Sequence, residues 1–214
     1  MKKIKFAVVM VLILSMLMGS TAFAATATGG SAKGVTTLEE WSSVDDYGHM
    51  FVFVKIRNDN NVNCSVYMNA VSLNSSGTKI EEVSSSAVYM VPGETYALVA
   101  SFEKSAKATN YDYELVVDKS LDVNDYIPAG DCINASFADD GKGTVDIYAS
   151  NSSAYTIEAE AIVVFYMKDQ VVDFGAVALT NDSDLLLSPG EKTTEYISTD
   201  VSYDASELLC TAIR

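Results

Sequence analysis

Ile157-Glu158-Ala159-Glu160-Ala161-Ile162-Val163-Val164-Phe165-Tyr166 is the stretch on which the fold turns. Its first six residues alternate between apolar and acidic, the period of a strand with one wet face. Glu158 and Glu160 are read as facing water. Ala and Glu also favour helix. The β-branched run Ile162-Val163-Val164 and the parallel with Val66–Leu73 decide for a strand.

The surroundings of this stretch occur twice. Val52–Asn58 ends in Asn58-Asp59-Asn60-Asn61, and Thr144–Ser150 ends in Ser150-Asn151-Ser152-Ser153. Ile56 aligns with Ile147 and Asn60 with Asn151, at an offset of 91. Val91-Pro92-Gly93-Glu94 matches Ser188-Pro189-Gly190-Glu191 at an offset of 97. Tyr111–Leu115 answers Tyr203–Leu208. Two copies of one module account for the shared order of features. The segments are short, rich in Val, Ile, Tyr and Phe, and separated by turn residues, so each copy is expected to be all-β. Pro-Gly marks sharp corners at 92–93 and 189–190, and Asp139-Asp140-Gly141-Lys142-Gly143 reads as a hairpin turn. About 95 residues per copy suits a seven-stranded sandwich of two sheets. The expectation is two tandem immunoglobulin-like β-sandwich modules, at 35–121 and 122–214, with their boundary in the polar stretch 118–125.

Residues 1–24 read as a signal peptide. Lys2, Lys3 and Lys5 precede an apolar run from Phe6 to Met18, and Ala22-Phe23-Ala24 supplies a small-x-small cleavage pattern. The run is short for a membrane span. Residues 25–34 are rich in Ala, Thr, Gly and Ser and are expected to be disordered. The expected product is secreted or extracellular, in the cell envelope or associated with the cell surface. The 214-residue chain carries 29 acidic and 14 basic side chains, a net charge of −15. That balance excludes a nucleic-acid binder working through a basic face, and it repels anionic membranes.

The second half resembles the FxLYD family of bacterial exported and envelope proteins. The resemblance lies in Asn151-Ser152-Ser153, Glu160–Tyr166 with Phe165-Tyr166 at the aromatic end, Lys168–Val172, and Leu187-Ser188-Pro189-Gly190-Glu191. It implies an extracellular immunoglobulin-like fold with no catalytic residues.

Reactive chemistry is sparse. His49 is the only imidazole, so a small hydrolase built on a Ser-His-Asp triad would have to use it. A zinc site would need more His and Cys ligands at useful spacing. No cofactor is expected; calcium is the minor candidate, with oxygens at Asp139-Asp140, at Asp122, Asn124 and Asp125, and along Asn58–Asn61 but no Asp-x-Asp-x-Asp-Gly loop. Of the three cysteines, Cys132 is placed on the first strand of the second module and Cys210 on its last. Those strands can be neighbours, so a Cys132–Cys210 disulfide and buried free thiols are both open. The leading expectation is a non-catalytic binding or structural module of the cell envelope. It would meet a protein or cell-surface partner through the turns Asn58, Asp59, Asn60 and Asn61 and Asn151, Ser152 and Ser153, or by strand addition at an open edge. The alternative is a calcium- or carbohydrate-dependent adhesion module stacking sugars on Tyr47, Tyr111, Tyr113 and Tyr126.

Overall fold

Alternation along the chain is converted into sheets throughout. The computed structural model describes residues 32–45, 47–104, 108–119, 126–180 and 185–214. The expected leader 1–24 and most of the expected boundary at 118–125 lie outside the described residues. The protein is all-β: β1 (Val35–Val44), β2 (Met50–Asn58), β3 (Cys64–Leu73), β4 (Lys79–Ser84), β5 (Val88–Met90), β6 (Thr95–Phe102), β7 (Asn110–Asp118), β8 (Ile133–Asp139), β9 (Thr144–Asn151), β10 (Glu158–Met167), β11 (Gln170–Ala178), β12 (Lys192–Ser198) and β13 (Ala205–Ile213). A 3-10 turn, Gly130–Cys132, leads into β8. Cys132 therefore precedes the strand on which the sequence had placed it.

Four antiparallel sheets result. In the first half, β2 lies between β1 and β6, while β3 pairs with β4 and β5 along one edge and with β7 along the other. In the second half, β9 lies between β8 and β12, and β10 lies between β11 and β13. An isolated bridge, Ile157 to Leu187, stands where β3 meets β5 in the first half. The strand order thus recurs from one half to the other. The corners follow from local chemistry. Gly93 and Gly190 take φ of 80° and 73° in the two Pro-Gly turns, a region that costs glycine little. Lys168 and Asp169, both at positive φ, make the tight turn between β10 and β11.

β2 and β10 are buried on both faces. Val52, Val54 and Ile56 of β2 join Val66, Met68 and Ala70 of β3 in one core. Phe53 and Lys55 point the other way and are buried too. On β10, Ala161, Val163 and Phe165 line a second core with Val145 and Ile147 of β9. Ile162, Val164 and Tyr166 belong to the core that contains β2 and β3. The sheet β1-β2-β6 therefore packs its outer face on the outer face of β11-β10-β13 (the inner sheets of a four-layer stack). Phe174 of β11 sits 5.2 Å from the Phe53 ring and edge-on to Trp41 at 5.8 Å. Lys55 donates to Glu207 at 2.5 Å and to the Tyr166 hydroxyl at 3.3 Å, and Glu39 lies 3.6 Å away.

This packing corrects the reading of Glu160. It does not point into open water: it is half-buried at the joint and accepts a 2.8 Å hydrogen bond from the Tyr96 hydroxyl of the first half. Burial pushes its carboxyl up, and the Tyr96 bond pulls it down. Alternation tells which residues share a face, not what that face meets.

Phe174→Ala would open a cavity at the seam between the halves and is expected to cost about 3–5 kcal/mol. Phe137→Ala, on the exposed strand β8, is expected to cost less than about 1 kcal/mol. Urea denaturation of both variants checks the contrast.

Candidate functional site

The turns expected to meet a partner also fasten strand ends to the fold. Asn58 ends β2 and is fully buried. Its amide donates to the carbonyls of Val62 (3.1 Å), Met90 (3.3 Å) and Val91 (3.1 Å), and its Oδ1 accepts from the Asn60 backbone. The Asn58 carbonyl accepts from Gly93 N–H, and the Asn58 N–H donates to the Glu94 carbonyl. Asn151 ends β9 and does the same. Its amide donates to the carbonyls of Tyr155 and Leu187, Oδ1 accepts from Ser153 N–H, and its backbone pairs with Gly190 and Glu191. Each asparagine staples a strand end to its Pro-Gly-Glu corner. The structural equivalent of Asn151 is therefore Asn58, not Asn60. A buried amide survives only where nearly all its hydrogen-bonding capacity is used.

Asn58 and Asn151 are thus inside the fold rather than displayed. Asp59 pairs with Arg57 at 2.6 Å, Asn60 donates to the Gly34 carbonyl, Ser152 donates to the Cys132 carbonyl, and Ser153 bonds Asn151. Asn61 is exposed. Cys64, Cys132 and Cys210 are free thiols, so no bridge joins Cys132 to Cys210. Burial pushes the Cys210 thiol up to about 12.

The other sequence-derived candidates resolve in the same way. His49 Nδ1 lies 3.0 Å from Asp45, whose carboxylate also accepts from the Tyr47 and His49 backbones, so the pair closes the β1–β2 connection. Asp139 accepts from Gly141 N–H, Tyr203 and Ser206, and Asp140 accepts from Lys142 and Thr144 N–H. Asp122, Asn124 and Asp125 lie outside the described residues. Among the described residues, no group of three or more His, Cys, Asp or Glu side chains is placed to hold a metal ion. Nor is any helix there long and apolar enough to cross a membrane. Tyr111 and Tyr113 are buried, which removes them as stacking surfaces. Tyr126 packs on Tyr89 at 5.4 Å, and Tyr47 is exposed.

What the fold does expose lies on the outermost sheet of the second half. Every residue of β8 from Asn134 to Asp139 is exposed. Ala135 and Phe137 pair with Ala149 and Ile147, so they sit on the core side of the sheet. Even so, Phe137 remains 39% exposed. β8 pairs with β9 along one edge, and its other edge is open among the described residues. A shallow groove of about 550 Å³ crosses the outer face of the same sheet, lined by Asn134, Ser136, Tyr148, Ser150, Lys192 and Thr194 among others. The sequence carried a signal for this place: Ile133–Ala138 contains no charged residue, though the chain is strongly acidic.

Glu94 is a second unusual group. Its Oε2 accepts from Val91 N–H at 2.7 Å, while Oε1 is buried with no hydrogen-bond partner. A Cβ on Gly130 would overlap this carboxyl, so a side chain there would displace it. Burial pushes the Glu94 carboxyl up to about 7, against the pull of the Val91 N–H, and Asp131 adds to the rise.

No family model matches the chain, and no curated protein matches it in sequence. Among solved structures, it is similar to red sea bream transglutaminase at 9% identity and a TM-score of 0.24, over 76% of this chain and 26% of that one. It is also similar to the C-terminal globular domain of an oligosaccharyltransferase from Pyrococcus abyssi, at 11% identity and a TM-score of 0.25, over 84% of this chain and 47% of that one. The chain thus spans about a quarter and just under half of those two chains.

Asn151→Ala removes the hydrogen bonds to the carbonyls of Tyr155 and Leu187 and the one from Ser153 N–H, and is expected to cost about 2–3 kcal/mol, read by urea denaturation. For Glu94, the folded state holds its proton more tightly than the unfolded one. Its contribution to stability is therefore full at low pH and falls as pH rises from the ordinary carboxyl range to about 7. Glu94→Gln is expected to melt higher than the parent at pH 8, with the gap closing by pH 5.

Proposed function

We propose that the chain is a non-catalytic, exported module of the bacterial cell envelope that works by binding a protein partner along β8. In this reading it comprises two tandem immunoglobulin-like sandwiches. The signal-peptide pattern read at residues 1–24 and the likeness to the FxLYD pattern support export. The recurrence of strand order in the two halves supports the tandem pair. The observation that carries the binding role is the open edge of β8, with Ala135 and Phe137 exposed on the core side of the sheet. An open, flat edge is a template for another strand unless something blunts it. A carbohydrate-adhesion reading is favoured by one observation only: Tyr148, 46% exposed, in a groove lined by small polar side chains.

A photo-crosslinking residue at position 137, in the protein expressed in a secreting bacterial cell, tests the binding role. A discrete adduct at 137, absent with the same residue at the exposed position 36, is the expected outcome. Adducts at 36 and none at 137 would contradict it. Loss of glycan-array binding in Tyr148→Ala would instead favour the carbohydrate reading.

A further inference from the structure

The edges of the sheets are not treated alike. Charge interrupts β1 (Glu39, Glu40), β4 (Glu81, Glu82), β7 (Asp112, Glu114), β11 (Asp173), β12 (Glu195) and β13 (Glu207). Charged side chains along an edge discourage the approach of a foreign strand. β5 is only three residues long. β6 carries no charge but is largely buried. β8 alone among the exposed edges runs uncharged from Ile133 to Ala138. Its core side is incompletely covered, and half-buried Leu208 and Cys210 of β13 face the same core from the opposite sheet. The natural protection of an edge is missing where the fold leaves apolar surface beside it.

The charges at the ends of β8 say which strand belongs there. Asp131 precedes it, Asp139 and Asp140 close it, and Asp146 lies opposite Ala138. Hydrogen bonds from Ser206 and Tyr203 hold the Asp139 carboxyl below the ordinary range despite partial burial, and backbone N–H groups do the same for Asp140. Lys142, Lys192 and Arg214 are the nearby cations: Arg214 is close enough to act on Cys132 beside Asp131, and Lys192 sits one strand beyond β9. A second copy pairing antiparallel about Ser136 would bring its Asp139 and Asp140 towards Asp131. Like charges brought together at a strand pair oppose its formation. We infer that β8 takes up, as an added antiparallel strand, an extended segment of another protein with alternating apolar side chains and basic residues at both ends. Backbone hydrogen bonds would supply the affinity, Ala135 and Phe137 the apolar contact, and the acidic ends the choice of partner. This rests on the proposed binding role of β8 and adds the chemistry of the partner.

Hydrogen exchange on the full chain, with three synthetic peptides, tests the inference. The first alternates valine and threonine and carries lysine at both ends. The second carries glutamate at both ends, and the third is the lysine peptide N-methylated throughout. The lysine peptide is expected to protect residues 133–139, with the glutamate peptide binding about tenfold more weakly at low salt and the N-methylated peptide not at all. Phe137→Lys should abolish the protection, while Tyr196→Lys, on the exposed face of β12, should leave it intact. Equal binding of the lysine and glutamate peptides would overturn the basic partner and leave the β8 site standing. No protection of β8 by any peptide would overturn both. Self-association of the chain that Phe137→Lys abolishes would overturn the inference in favour of a second copy.

Discussion

The inner sheets β1-β2-β6 and β11-β10-β13 each have two apolar faces, and the rest of the structure depends on covering all four. A sheet in a simple sandwich needs cover on one face only. Here Phe53 and Lys55 occupy what would be the solvent face of β2, and Ile162, Val164 and Tyr166 occupy that of β10. Leaving either face in water would expose side chains that each contribute about 1.5–3 kcal/mol on burial. Packing the two faces together meets both needs at once. The polar groups caught at the seam are matched: Lys55 with Glu207 and Glu39, and Tyr96 with Glu160. The two halves are thus halves of one packed body, although they share a strand order.

Much of this was legible in the chain. β2, β3, β9 and β10 fall where alternation and β-branched residues place them, because those signals record local backbone preference and burial. The Pro-Gly corners were legible because few residues tolerate the positive φ found at Gly93 and Gly190. Glu160 was misread because its partner, Tyr96, is 64 positions away and on the other half. Asn58 and Asn151 were misread as displayed turns because asparagine after a strand is most often a surface turn former. Their burial follows from the carbonyls of Met90 and Leu187, which only the folded chain brings to them. Aligning Asn60 with Asn151 missed the true equivalence by two residues.

The candidate site was readable in part. The uncharged run Ile133–Ala138 stands out in a chain of net charge −15, but composition alone does not tell an exposed edge from a buried strand. β6 shows the ambiguity: it is equally uncharged, yet lies inside. Both strands lie at sheet edges, and only the packing of the folded chain leaves β8 exposed while covering β6. The fold then divides its tasks. The buried asparagines and the aromatic seam hold the layers, and the outermost sheet of the second half carries the exposed edge strand β8.

Scanning calorimetry of the full chain tests most directly whether the halves form one body through their inner sheets. A single transition whose calorimetric and van't Hoff enthalpies agree is the expected result. Two resolved transitions, with the parent already melting in separate halves, would contradict the account.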